Sequence, residues 1–152
     1  MINVRQKGAG GEREIIDACE PIVRKVMEEN GLPHSYATPV MQRNQNQSAV
    51  GGSDITNPFS LSIEVKRQES LSIGTWWAQC LKAAQAANEC PVLLYRQNGK
   101  KWRCITYAAL PLPSVDGSIG AHMRVQCEFD FPQFLAWFEE WVRRKVASSL
   151  TP

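Results

Sequence analysis

The sequence predicts an α/β fold, a mixed sheet with helices packed against it. Three observations carry that prediction. Ser60-Leu61-Ser62-Ile63-Glu64-Val65-Lys66 alternates polar and apolar side chains, the period of a half-buried strand. Pro91-Val92-Leu93-Leu94-Tyr95-Arg96 is an apolar run followed by Asn98-Gly99, the strongest short hairpin signal in the chain. Helical periodicity flanks these strands over about 11–30, 75–88 and 131–148.

In chain order, Ile15, Ile16, Cys19, Val23, Val26 and Met27 fall near 3.6-residue spacing and predict a helix from about Gly11 to Asn30, stopped by Asn30-Gly31. Pro21 is expected to bend or split it. Lys7-Gly8-Ala9-Gly10-Gly11-Glu12-Arg13-Glu14 reads as a flexible glycine run opening this helix. Glu12 would then sit in the first turn, where the helix dipole favours a carboxylate. Residues 34–50 read as a short strand near Ser35–Val40 and a polar loop rich in Gln and Asn. A hairpin over about 53–67 follows, with Asn57-Pro58 as its turn signal.

After a helix from about Thr75 to Asn88 come the 91–96 strand and its partner from Lys101 to Tyr107. Leu110-Pro111-Leu112-Pro113 through Gly120 reads as a loop, Met123 to Phe129 as an extra strand, and Phe131 to Ser148 as an amphipathic helix. The stripe of Phe134, Leu135, Phe138, Trp141, Val142 and Val146 reads as core packing, with a dimer contact as the alternative. Trp76 and Trp77 point about 100° apart on a helix, so at least one packs in the core. The other is then free to stack on an unpaired base or to line a dimer interface.

A chain of 152 residues fits one domain, with a core over about 5–107 and a strand–helix extension over about 120–149. With 43% hydrophobic and 21% charged residues, the composition is that of a soluble globular protein. No apolar run approaches the roughly 20 residues a membrane span needs, so no membrane partner is expected. The opening residues lack a signal peptide's apolar stretch. Five cysteines, widely spaced and without a C-x-x-C pair, argue against a disulfide framework and a zinc site and suit a reducing cytoplasm. Cys104, His122 and Cys127 lack a fourth ligand, and neither His34 nor His122 has a partner at catalytic spacing.

A net charge of +2 does not by itself declare a nucleic-acid binder. Its distribution says more. Arg5 and Lys7 lead the chain, while Lys66-Arg67, Arg96, Lys100-Lys101 and Arg103 gather around the central strands in sequence. For any one of these, a solvated surface position is the commoner outcome.

The candidate chemistry begins at Asp54, followed after nine residues by Glu64-Val65-Lys66. On a strand, Glu64 and Lys66 share one face while Ile63 and Val65 face the core. Asp54 would lie on the neighbouring arm of the hairpin. Two carboxylates and an ammonium converging on one place are costly unless a divalent cation compensates, and such an oxygen-rich set suits magnesium or manganese. That points to metal-assisted phosphodiester hydrolysis. Alone, the spacing is nonspecific, and two solvated carboxylates are its ordinary alternative. Three neighbours strengthen it. Gly51-Gly52 allow a sharp turn that exposes Asp54, the Lys7–Glu14 run can deliver a third carboxylate, and Gln79 lies on the helix after the strand.

Together, Lys7-Gly8-Ala9-x-x-Glu12-Arg13-Glu14, Ser53-Asp54-Ile55 and Ile63-Glu64-Val65-Lys66 resemble the archaeal Hjc-type Holliday junction resolvases and their phage relatives, members of the PD-(D/E)XK nuclease superfamily. The resemblance covers about Arg5 to Trp102. It implies a restriction-endonuclease-like core and a Mg²⁺ site, with Mn²⁺ as a substitute. Glu12, Asp54 and Glu64 would hold the metal, with the Val65 carbonyl as an added oxygen. Lys66 would act on water or developing charge, and Gln79 would position one of them. Arg5, Lys7, Arg13, Arg43 and Arg67 would contact DNA.

The implied partners are branched DNA and a second copy of the chain, because two-fold dimers cut two symmetric strands naturally. Ser53 stands where the superfamily has proline, Ala83 where some members have tyrosine, and the stretch between the first helix and Asp54, with Gln42–Ser48 in its middle, is longer and more polar than the family pattern. Nothing in residues 54–66 separates a four-way junction from other DNA. Another nuclease of the superfamily acting on linear or flap DNA, and a non-catalytic DNA-binding module on the same fold, are the competing readings.

Overall fold

The computed structural model describes residues 4–34, 38–45 and 52–150, with side chains from residue 8 onward. Helix α1 (Val4–Glu29) leads to the short strands β1 (Gln42–Arg43) and β2 (Ile55–Thr56), then β3 (Leu61–Gln68). Helix α2 (Ile73–Ala87), strands β4 (Cys90–Gln97), β5 (Arg103–Pro113) and β6 (Ile119–Asp130), and helix α3 (Phe131–Leu150) follow. The six strands form one mixed sheet in chain order. β3 and β4 are parallel, with α2 as their crossover, and the other neighbours are antiparallel. This is an α/β restriction-endonuclease-like core, a central mixed sheet flanked by helices.

The alternation along β3 sorts its side chains between two layers. Ile63 and Val65 join a core with Ile15, Val23 and Phe134, under α1 and α3. On the opposite face, Leu93, Tyr95 and Ile105 pack against Trp76, Trp77 and Cys80 of α2. The register Glu64↔Leu93 puts Glu64 on this second face. Both tryptophans are core residues, Trp76 beside Tyr95 and Trp77 edge-on to Tyr107. The α3 stripe is core as well: Phe134, Phe138, Val142 and Val146 are buried, and the Trp141 Nε1–H donates to Phe59 O at 2.8 Å. The dimer-contact alternative for that stripe therefore falls.

Several boundaries differ from the expectation. α1 begins at Val4 and runs unbroken through Pro21, so Glu12 lies in its third turn rather than its first. Packing of the apolar face outweighs the low helix propensity of Gly8, Gly10 and Gly11. Its end falls as predicted: Gly31 takes φ +66°, and Leu32 N–H donates to Met27 O at 2.9 Å.

Residues 35–37 of the expected early strand lie outside the described residues, and the strand found nearby is Gln42–Arg43. The expected loop over 110–120 is mostly strand. β5 continues to Pro113 and β6 starts at Ile119, with the reversal between them. β4 pairs with β5 only across Arg103–Ile105, so further along that edge of β5 a proline nitrogen forfeits no ladder bond.

Candidate active site

The site begins where a strand stops. β2 is two residues long and meets β3 through Ile55↔Ile63, with Asp54 N–H donating to Ile63 O at 2.9 Å. Beyond that point, Asp54 replaces the missing strand with its side chain. Its Oδ2 accepts a hydrogen bond from Val65 N–H at 2.7 Å, and the carboxylate is buried. Asn44 fixes the turn from which it comes, donating its N–H to Asp54 O at 2.9 Å and its Nδ2–H to Ser53 O at 3.0 Å. Gly52, at φ +106°, has a backbone conformation that side chains with a Cβ rarely adopt. Gly51 and the loop over 46–50 lie outside the described residues.

Glu64 is buried on β3, with Lys66 Nζ 3.0 Å from its Oε1. Burial holds its carboxyl above the usual range. The charge of Asp54 adds to that, Lys66 opposes it, and Glu12 contributes further. Glu12 arrives from the other layer. α1 can come this close because Gly11 has no side chain: a Cβ there would meet the Trp102 ring at 3.3 Å and Val65 Cγ1 at 3.5 Å. Burial raises the Glu12 carboxyl too, against its hydrogen bond from Arg43 Nε at 2.5 Å, and Asp54 again adds to the rise. Three carboxylates from α1, the β2 approach and β3 thus feel one another's charge.

Each carboxylate is engaged by the protein: Glu12 by Arg43, Asp54 by the Val65 amide, and Glu64 by Lys66. As they stand, no three His, Cys, Asp or Glu side chains among the described residues are grouped closely enough to hold a metal ion. The donor chemistry nonetheless fits a hard cation: buried, mutually repelling carboxylate oxygens with two protein cations sharing the compensation.

One organising residue was missed in the sequence. Glu14, two residues beyond Glu12, receives Arg67 Nη1 at 2.7 Å, Arg96 Nη1 at 2.9 Å and Trp102 Nε1–H at 2.9 Å. It ties α1 to β3, β4 and the start of β5. The signal was present as an acidic residue among later basic ones, but nothing local in sequence pairs positions this far apart.

The DNA-contact candidates divide. Arg43 and Arg67 are engaged by Glu12 and Glu14, Arg13 is exposed on α1, and the side chains of Arg5 and Lys7 lie outside those described. Gln79 is exposed on α2, one residue from buried Cys80. The five cysteines are free thiols, and burial pushes those of Cys19 and Cys80 up to about 12.

A mixed sheet whose central strand carries Glu64-x-Lys66 beside an edge-capping aspartate is the arrangement of a PD-(D/E)XK nuclease. The family model described as "Phage putative PDDEXK endonuclease" matches residues 3–128, and the chain belongs to that family. Nucleases of this class generally use divalent metal ions. A solved structure of Archaeoglobus fulgidus Hjc, a Holliday junction resolvase from an archaeal hyperthermophile, is similar at 15% identity and a TM-score of 0.39, over 78% of this chain and 98% of that one. No curated protein matches. Among the described residues, no helix is long and apolar enough to cross a membrane.

Proposed function

We propose that the whole chain, residues 1–152, acts as one nuclease domain, a Mg²⁺-dependent endonuclease that hydrolyses DNA phosphodiesters at four-way junctions. It would work in the cytoplasm of a prokaryotic cell or phage-infected host, as a homodimer. The observation that carries the reading is Glu64 beside Lys66 on β3 with Asp54 bound to the intervening Val65 amide, the two carboxylates feeling each other's charge and that of Glu12.

Asp54 and Glu64 would hold the ion, with Glu12 joining directly or through water. Val65 N–H points toward Asp54 rather than β4, and in an extended strand a residue's N–H and C=O share a direction, so the Val65 carbonyl opens on the same side. When bound, the ion would supply Lewis-acid chemistry to the phosphate and to an attacking water. Lys66, held beside Glu64, orients the attacking water or neutralises charge that develops on the phosphate. Arg43 shares the charge of Glu12, and Gln79 on α2 positions Lys66 or the water. Arg5, Lys7, Arg13 and Arg67 supply phosphate contacts, with Arg43 available for one when its bond to Glu12 opens.

The test is a labelled immobile four-way junction and a matched linear duplex, each incubated with Mg²⁺ and with either the wild type or Glu64→Ala. Paired symmetric nicks in the junction alone, absent from the variant, support the reading. Cutting of both substrates keeps the nuclease and removes the junction preference. Tight binding without any cutting by the wild type would overturn catalysis.

A further inference from the structure

The β5–β6 hairpin carries a pattern that the nuclease reading does not use. Along β6 the residues alternate from Ala121 to Asp130, the register slipping only at Leu112/Pro113, next to the reversal. Ala121, Met123, Val125, Cys127 and Phe129 occupy one face, while His122, Arg124, Gln126, Glu128 and Asp130 occupy the other. Ten residues of such alternation belong to a strand with one whole face covered.

Only its lower end is covered. Phe129 packs against the core, and Val125 and Cys127 are half-buried, but Met123 and Ala121 are exposed. β5 completes the face, since the pairs Ala108↔Val125, Leu110↔Met123 and Leu112↔Ala121 share it. Of the seven exposed large apolar side chains among the described residues, five lie on this hairpin: Leu110, Leu112, Val115, Ile119 and Met123. Chance scatter over the surface would not concentrate them so. A groove of about 500 Å³, lined by Ala108, Phe129 and Trp137, continues the face toward α3.

We propose that this face is covered by the same face of a second copy of the chain, the two hairpins packing across a two-fold axis. Three arguments choose that occupant. The face carries no charged residue, all the β6 charges being on its reverse, so it offers nothing to a phosphate backbone. The area is also suitable. Leu110, Leu112 and Met123 are 40–52% exposed, and a half-exposed large side chain presents on the order of 100 Å². With Ala121, Val125, Cys127 and Trp137 the face offers roughly 400–600 Å². That is the upper end of what a monomer ordinarily leaves open and more than half of the ~800 Å² per partner of a standard interface. Finally, two-fold contacts are self-complementary, and two ribbons packed face to face at about 10 Å leave both polar faces in water. The inference gives the homodimer of the proposed function its contact face and to that extent rests on that reading, but it requires neither metal binding nor cleavage.

The test uses the full chain without DNA or added metal, by sedimentation equilibrium from about 1 to about 100 µM. The wild type is expected to dimerise. Leu110→Asp should weaken the dimer at least ~30-fold, as expected for an aspartate in an apolar interface centre. His122→Asp, at nearly the same height on the reverse face, should leave it intact. Far-UV circular dichroism checks that all variants fold; if Leu110→Asp does not, Leu110→Ser takes its place. A wild type that stays monomeric throughout, or a folded Leu110 variant that dimerises like the wild type, overturns the proposal. Because neither DNA nor cleavage enters this measurement, failure of the nuclease reading would leave its result unchanged.

Discussion

Around β2 and β3, carboxylates lie buried at one end of the sheet; along the outer parts of β5 and β6, large apolar side chains stand in water at the other. Each arrangement reverses the usual partition, in which charged groups are solvated and apolar groups are covered. The buried acids each have a compensating donor inside the protein, which offsets the cost only in part. The exposed leucines of the hairpin have no cover within the described chain. The difference separates charge enclosed by the fold from apolar surface that the fold leaves open.

The sharpest way to break this comparison is through rate. If Asp54 and Glu64 hold an ion as proposed, an interaction worth several kcal/mol in the transition state, Asp54→Asn and Glu64→Ala should lower cleavage by ~10²–10³-fold or more. Junction binding should survive, since phosphate contacts dominate affinity. A gel-shift and a single-turnover cleavage assay read both quantities. Normal cutting by either variant would remove that residue from the site.

Stability separates the apolar residues next. Phe138→Ala, in the core, should cost about 3–5 kcal/mol in urea unfolding. Leu110→Ala, measured under dilute monomeric conditions, should stay within about 0.5 kcal/mol. Equal losses would show that the outer hairpin is already covered.

Gly11→Val addresses the approach of α1. Its added methyls have to enter space next to Trp102 and Val65, which should cost about 1–3 kcal/mol and reduce cleavage by moving Glu12. A smaller loss, about 1 kcal/mol, is expected for Glu14→Gln, which is itself half-buried and whose two arginine partners are only partly buried.

The smallest effect is a pH dependence in metal-free buffer. Because the folded Glu64 carboxyl is held above its ordinary 4.5, the folded state binds that proton more readily than the unfolded chain does. The ionised form therefore costs stability in full above the folded pKa, and the cost fades as pH falls toward and below 4.5. Glu64→Gln should melt higher than the wild type at neutral pH, with the gap narrowing on acidification. A gap that widened with acid would reverse the assigned electrostatics.

Much of the frame was legible because it is local. Period-2 alternation placed β3, the Asn98-Gly99 turn fell between β4 and β5, and Asn30-Gly31 ended α1 within a residue or so. The placement of Glu64 beside Lys66 on one strand, with Asp54 on the neighbouring arm, was legible too. What escaped was set by tertiary contact. The glycines near Glu12 read as flexible because nothing in the sequence shows that α1 must press against Val65 and Trp102. Pro111 and Pro113 read as loop because an open strand edge, which tolerates proline, is a property of where β4 ends. The role of Glu14 depends on partners more than fifty residues away.

The bond from Val65 N–H to Asp54 has a consequence for experiment. The side chain of Val65 belongs to the core, while its main chain belongs to the site. Replacing valine with another ordinary residue therefore perturbs packing and leaves the amide in place. Exchanging the peptide link at residue 65 for an ester would delete the donor and keep the isopropyl group. Semisynthesis, rather than codon change, is the tool that asks what holds Asp54.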